Sequence, residues 1–370
     1  MHLEEVGNWL QTDPLPPEKR ENIQASTTFK AKNLVDRQEM TMKFNKIFAS
    51  VLIASIPYGA MASDSIEQKA SQKPMTWTTL GTAGGPVVHP DRSQPANLLT
   101  AGNNLWLVDC GDGALEKLSA TGHQPSDIDA VFISHLHLDH IGGLQGLIGL
   151  RWMQHQKRPL TIYGPPGTQE VVSNIIASLG PSVAIDIGVN KKRMQIDPAK
   201  VVEVVTMTGG SQHSINGITV TAAQNSHFDN QDGEPADTGT ESLSYRFSTK
   251  NYSIGYTGDT GESEAVIHLF KGVDLIVSEV IDLQGIIANL NSPKSPMPEE
   301  VKPRLIKHLM MHHLTPQEAG KIAAEAGAKR LVLTHLAIAG PLTKVSSGLI
   351  SAVHETYQGE VEIAHDVETF

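Results

Sequence analysis

Four side chains able to bind a metal fall within six residues, His135-Leu136-His137-Leu138-Asp139-His140. They follow an apolar run, Ala130-Val131-Phe132-Ile133, and precede Ile141-Gly142-Gly143. This order predicts a buried strand, a ligand-bearing loop and a glycine-assisted turn. A chain built this way must deliver the end of a buried strand to an ion, which narrows the folds open to it more than composition does. Imidazole and carboxylate are the ligands of catalytic zinc sites. In an extended segment His135 and His137 point the same way and can grip one ion. Asp139 and His140 continue past it and can reach a second.

The rest of the chain alternates strands with helices and hairpins. Residues 77–81 read as a first strand, and 97–100 with 105–108 as a hairpin. A helix is expected at 114–121, another at 144–156, and a strand at 160–163. Thr168 is expected to cap the helix after Gly164-Pro165-Pro166-Gly167. Later strands are expected at 201–207, 218–223, 243–247, 252–256, 273–277 and 330–334, with helices at 262–270 and 316–325, the last capped by Thr315. The pattern suits two sheets packed together with helices outside. His227, Asp259 and His335 each follow one of these strands, in the loop positions where such scaffolds carry function.

With these residues in place the chain resembles the metallo-β-lactamase superfamily over about residues 77–370. The matching motifs are Asp109 in Val108-Asp109-Cys110-Gly111, the His135/His137/Asp139/His140 cluster, His227, Asp259 and His335. The resemblance implies an α/β fold of αββα type, two mixed sheets with helices on the outer faces. It implies two zinc ions per chain, with manganese or iron also suited to such ligands. One ion would be held by His135, His137 and His227. The other would be held by Asp139, His140 and His335, with Asp259 bridging. Asp109 would orient the histidine loop without being a ligand. The chain looks most similar to the branch that holds tRNase Z and secreted arylsulfatases. Four passages carry this: Leu80 to Pro86, Ser244 to Phe247, Asp274 to Glu279, and His313 to Ala319. In that branch Glu279 and His313 would form a proton-relay pair beside the metals, with Asp139 also at the catalytic centre. The adjacent His312 is the other candidate partner for Glu279.

The choice of substrate rests on charge and on the N-terminal sequence. Met42-Lys43-Phe44-Asn45-Lys46, the apolar stretch 47–60 and Ala60-Met61-Ala62 read as a bacterial export signal cleaved before Ser63. Residues 1–41 would then be a spurious or disordered extension, 42–62 the signal, 63–76 a linker and 77–370 the hydrolase domain. Such a protein is expected in the periplasm or outside the cell. The single cysteine, Cys110, allows no internal disulfide. The net charge of −11 argues against a general nucleic-acid binder. The loop after His227 carries Asp229, Asp232, Glu234, Asp237 and Glu241, which beside the metals would repel a polyanion. Lys191-Lys192-Arg193 is the sole basic cluster between Pro165 and His227. The segment 283–311, rich in proline with Ile286, Ile287, Leu290, Met297, Met310 and Met311, has its ends near the site. It suggests an apolar lid over an aryl or alkyl group, or else a structural insertion or dimer contact.

These features lead to an exported dinuclear-zinc hydrolase that cleaves a small sulfate or phosphate ester by a metal-bridged hydroxide. On that reading the partner is a small ester, with no nucleic acid and no membrane span in the mature protein. A homodimer is a family expectation. A tRNase Z-like endoribonuclease, a lactonase or β-lactamase, and a non-catalytic metal-binding protein are the alternatives.

Overall fold

A computed structural model describes residues 75–185, 197–230 and 239–370. Residues 1–74, Lys191-Lys192-Arg193 and three of the five loop acids, Asp232, Glu234 and Asp237, lie outside the described residues, and so does the export signal. No helix among the described residues is long and apolar enough to cross a membrane.

Each of the two sheets has seven strands. The first contains β1 (Thr76–Gly81), β2 (Ala96–Ala101), β3 (Asn104–Cys110), β4 (Ala130–Phe132), β5 (Leu160–Gly164), β6 (Val202–Thr206) and β14 (Glu368–Thr369). Its order is β14-β1-β2-β3-β4-β5-β6. The second contains β7 (Gln212–Ile215), β8 (Ile218–Gln224), β9 (Leu243–Ser248), β10 (Ser253–Tyr256), β11 (Leu275–Ile281), β12 (Arg330–Ala337) and β13 (Glu360–Ile363). Its order is β13-β12-β11-β10-β9-β8-β7. Both sheets are mixed: β3 through β6 run parallel while β14, β1, β2 and β3 pair antiparallel, and the second sheet has the same division about β10.

Side-chain alternation explains the layers. Successive residues of a strand face opposite ways. Ala130 and Phe132 face the interior between the sheets, where they meet Trp77, Trp106, Tyr245 and Phe247. Val131 faces the other way, into a layer with Leu118, Leu144, Leu147 and Val172. Those residues come from α1 (Ala114–Ala120), α3 (Leu144–Met153) and α4 (Thr168–Ser178). In β12, Val332 faces inward, while Leu331 and Leu333 pack outward on Val266, Ile322 and Val353. The outer helices there are α6 (Glu264–Leu269), α9 (Pro316–Ala326) and α10 (Leu342–Val353). Strands buried on both faces read as continuous apolar runs. The expected αββα sandwich is the fold observed.

Local chemistry differed in places. Gly167, in the left-handed region at φ 97°, caps α4, and Thr168 instead donates its hydroxyl to the Pro165 carbonyl at 2.7 Å. Thr315 does cap α9, in a reciprocal box with Glu318. Two short helices, α2 (Leu138–Ile141) and α5 (Gly180–Val183), complete the first half. The segment 283–311 forms two helices, α7 (Leu283–Leu290) and α8 (Lys302–His312), which pack on each other.

Candidate metal centre

Two β-bulges aim residues at the centre. In β3, Ala96 pairs with Cys110 and Asn97 with Val108, so Asp109 is an extra residue. In β12, Thr334 pairs with Glu279 and Leu336 with Val280, so His335 is extra. Both adopt positive φ, 58° and 44°, which an L-residue holds only against a steric cost. A bulge bends its strand and re-aims a side chain. His335 therefore sits within its strand and not in the loop beyond it, as the sequence had suggested. The backbone N–H of Leu336 donates to the Thr82 carbonyl at 2.7 Å, which ties this bulge to the loop after β1.

His135 and His137 lie in the extended segment after β4, and α2 then turns Asp139 and His140 inward. A Cβ on Gly85 would lie 2.0 Å from Asp139 Oδ2, so only glycine lets that loop approach. Gly258, at φ 57°, turns the chain after β10 so that Asp259 enters the site.

The expected ligands converge as two groups. His135 Nε2 lies 3.0 Å from His137 Nδ1, which lies 3.2 Å from His227 Nε2. His140 Nε2 lies 3.5 Å from Asp139 Oδ2, and His335 Nε2 3.7 Å from the same oxygen. Asp259 faces both groups. Its Oδ2 is 3.9 Å from His135 Nε2 and 4.0 Å from His227 Nε2, while its Oδ1 is 3.3 Å from His140 Nε2 and 3.2 Å from His335 Nε2. One carboxylate oxygen is thus presented to each group.

The outer ring atoms are already committed. His140 Nδ1–H donates to Asp109 Oδ2 at 2.8 Å. His227 Nδ1–H donates to the His312 carbonyl at 2.9 Å. Ser134 Oγ donates to Asp109 Oδ2, which leaves it to accept from His135 Nδ1–H at 3.1 Å. Each contact holds the tautomer whose Nε2 lone pair faces inward. His140 Nε2, His335 Nε2 and Asp259 Oδ1 are buried without a hydrogen-bond partner. Buried polar atoms are normally satisfied, and a cation would satisfy all three. The donor set of imidazole nitrogens and carboxylates fits zinc.

The electrostatics divide along the same line. Burial holds His135 and His227 well below the usual histidine range, so both are neutral and ready as ligands. Burial also acts on His140 and His335, but carboxylates outweigh it. Asp259 and Asp109 raise His140 well above its usual range, and Asp259 and Asp139 raise His335 to about 10. Asp139 is held at about 2, against its burial, by His335 and His140. A cation in the second group takes over the work of those protons.

Beside the ligands, His313 Nδ1 and Glu279 Oε2 lie 2.8 Å apart. The Glu279 carboxylate is fully buried and also accepts from the Thr260 backbone N–H. His312 is not its partner: that ring pairs with His308 Nδ1 at 2.8 Å. One nitrogen of His313 lies within 4.8 Å of His227 and Asp259. Burial works against a charged His313, and the Glu279 carboxylate raises it above the usual range all the same.

The centre opens into a cavity of about 630 Å³. One wall is Pro86, Val88 and Leu138, and the facing wall is Leu305, His308 and Leu309 of α8. The sequence reading singled out none of the three α8 residues. Their i, i+3, i+4 spacing is a helical signal, but the prolines around Pro298 and Pro303 obscured it. Tyr256 was missed too: its hydroxyl donates to Asp109 Oδ2 at 2.7 Å, a contact set by sheet packing alone.

A model of the β-lactamase superfamily domain matches residues 105–336. The ribonuclease Z of Mycobacterium bovis is 29% identical over 294 residues, covering 78% of this chain and 95% of the relative. That of Mycobacterium marinum is 30% identical over 261 residues, covering 70% of this chain and 85% of the relative. Among solved structures, the metallo-β-lactamase fold protein YhfI from Bacillus subtilis has TM-score 0.57 at 23% identity, over 80% of this chain and all of that one. Human tRNase Z, short form, has TM-score 0.54 at 22% identity, over 80% of this chain and 98% of that one. The two structures share the fold.

These relatives overturn the expectation of an enzyme for small sulfate or phosphate esters, and with it the expectation of no nucleic-acid partner. The physical error lay in reading charge along the chain as charge at the site. Glu241, counted among the repelling loop acids, turns away and accepts from the Gly209 backbone N–H at 2.7 Å. One wall of the cavity is α8, which lines it with Leu305, His308 and Leu309 and carries Arg304 and Lys307 outside the lining.

Proposed function

The chain belongs to the β-lactamase superfamily, near its ribonuclease Z branch, and on that premise we propose that this hydrolase is an endoribonuclease cutting a phosphodiester bond of precursor transfer RNA. The observation that carries the proposal is likeness running over 95% of the length of a ribonuclease Z. The site chemistry agrees with it. His135, His137 and His227 would hold one zinc ion, and Asp139, His140 and His335 the other, with Asp259 reaching both. When bound, such a pair supplies Lewis acidity and a water acidic enough to act as nucleophile near neutral pH.

The protein's own residues supply orientation and proton transfer. Asp109, Ser134 and the His312 carbonyl lock three imidazoles in the ligating tautomer. Glu279 anchors His313 through Nδ1 and, against burial, favours its protonated form, so its second nitrogen can pass a proton to the leaving ribose oxygen. A ribose alkoxide is a poor leaving group, and a placed acid matters most for such a group. The apolar walls of the cavity restrict water around the scissile bond.

The test is cleavage of a precursor tRNA bearing a 3′ trailer by zinc-loaded protein, with the mature tRNA as control. A single cut near the trailer junction is expected. Protein that holds two zinc ions, hydrolyses bis(4-nitrophenyl) phosphate and leaves the precursor intact would rule the proposal out. The expected export signal at Met42–Ala62 is a separate proposal. N-terminal sequencing from the native host should give a start at Ser63, and a start upstream sinks it.

A further inference from the structure

Two rows of side chains share α8. Leu305, His308 and Leu309, spaced i, i+3 and i+4, line the cavity. Arg304, His308 and His312, spaced four apart, stack into a second row that overlaps the first at His308. This row runs inward: Arg304 is exposed, His308 half-buried and His312 buried. His308 and His312 are joined through their Nδ1 atoms at 2.8 Å, and the His312 carbonyl holds His227. Each step along the row rises roughly 6 Å. The row therefore leads from the surface to a candidate metal ligand, through a hydrogen bond between the two rings and then the His312 carbonyl, which accepts from His227.

The charges on α8 are available. Among the described residues, Lys302 is paired with Glu299, whereas Arg304 and Lys307 have no carboxylate within ion-pair distance. In a chain of net charge −11, a free guanidinium beside the cavity is a local reversal of sign. The ligand that matches an exposed guanidinium followed by an imidazole on the way to a candidate metal centre is a strand carrying an anion at every unit. A cavity of about 630 Å³ suits a small ligand, so an unpaired nucleotide enters and a duplex does not. The apolar pair Leu305 and Leu309 offers a surface for a base.

From this geometry we infer that Arg304 and His308 form a subsite for the phosphate next to the scissile one on an RNA strand, with Leu305 and Leu309 against the intervening base. The inference rests on the ribonuclease reading above. Phosphate contacts fix register without reading sequence, so this subsite sets where the strand lies.

The experiment compares zinc-loaded wild type, Arg304→Ala, His308→Ala and Lys307→Ala on a precursor tRNA and on bis(4-nitrophenyl) phosphate over a salt series. Lys307 lies two residues, hence roughly half a turn, from both Leu305 and Leu309, so it carries the same charge turned from the cavity-lining pair, with Arg304 between it and His308. Arg304→Ala is expected to raise the RNA KM about tenfold and to reduce the salt slope by about one. His308→Ala should raise the RNA KM as well. For both, the loss on RNA should exceed that on bis(4-nitrophenyl) phosphate at least several-fold. Lys307→Ala should leave the RNA KM within about twofold. Equal shifts for Lys307→Ala and Arg304→Ala would show only bulk charge and overturn the subsite. RNA cleavage by wild type with no change in Arg304→Ala overturns the subsite and leaves the ribonuclease reading standing. Wild type active on bis(4-nitrophenyl) phosphate but inert on RNA removes that reading, and the subsite with it.

Discussion

Asp109 receives four hydrogen bonds on one buried carboxylate, from the Ser134 backbone, the Ser134 hydroxyl, His140 and Tyr256. It touches no candidate metal position, yet it fixes the ring of one ligand directly and of His135 through Ser134. Asp109→Asn replaces an acceptor oxygen with an NH₂ group facing donors. Zinc affinity should fall about 10- to 100-fold, measured by competition with a chromophoric chelator. Unchanged affinity would leave Asp109 a purely structural residue. The Glu279–His313 pair makes a different prediction. His313→Ala should slow RNA cleavage by about 10² to 10⁴. It should slow bis(4-nitrophenyl) phosphate hydrolysis much less, because nitrophenolate leaves unaided. Equal losses on both substrates would refute a role at the leaving group. The ligand residues themselves were legible as types at spacings, because a metal loop is a local pattern. Glu279's partner was named as His313 by the resemblance, while spacing alone left His312 open. His312 and His313 are adjacent, and only the turn at the end of α8 decides which ring meets the carboxylate.

At the scale of elements, the apolar runs marked nearly every long strand, since strands buried on both faces carry no polar interruption. Phe132 shows what that burial is worth. It stacks on Tyr163 at 4.7 Å and meets Phe247 edge-on at 5.3 Å, with no exposed surface. Phe132→Ala should cost about 3–5 kcal/mol in urea unfolding. Because β4 leads straight into the histidine loop, metal content should drop as well. A loss under about 1 kcal/mol would mean that the sheets repack around the gap, contrary to the close packing of such interiors. The bulges at Asp109 and His335 were not legible. A bulge exists only as a mismatch between two paired strands, and neither strand's own sequence records its partner's register. The helices of 283–311 were hidden for another reason. The segment was read only as a proline-rich apolar lid, insertion or dimer contact, with no helix assigned, whereas Pro303 stands in the first turn of α8, where its missing N–H costs nothing.

At the scale of the whole molecule, candidate ligands from four separate stretches, His135 to His140, His227, Asp259 and His335, meet at one end of the two sheets. A metal bound there would tie the second half of the chain to the first. A chelator should lower the Tm, and zinc should restore it. At about 100 times its Kd, one ion adds about 2.7 kcal/mol of stability. A Tm indifferent to chelation, with zinc bound, would mean that the metal does not bridge the sheets. Here residue types and spacing pointed to a metal site and a two-layer plan, because ligand types and side-chain alternation are written locally, and the resemblance of the motifs supplied the superfamily. Tertiary structure and the relatives decided the rest. Only folding showed that His335 sits on a bulge, that Glu241 pairs with the Gly209 backbone and that α8 walls the cavity. Charge acts through space, so its order along the chain misled about substrate.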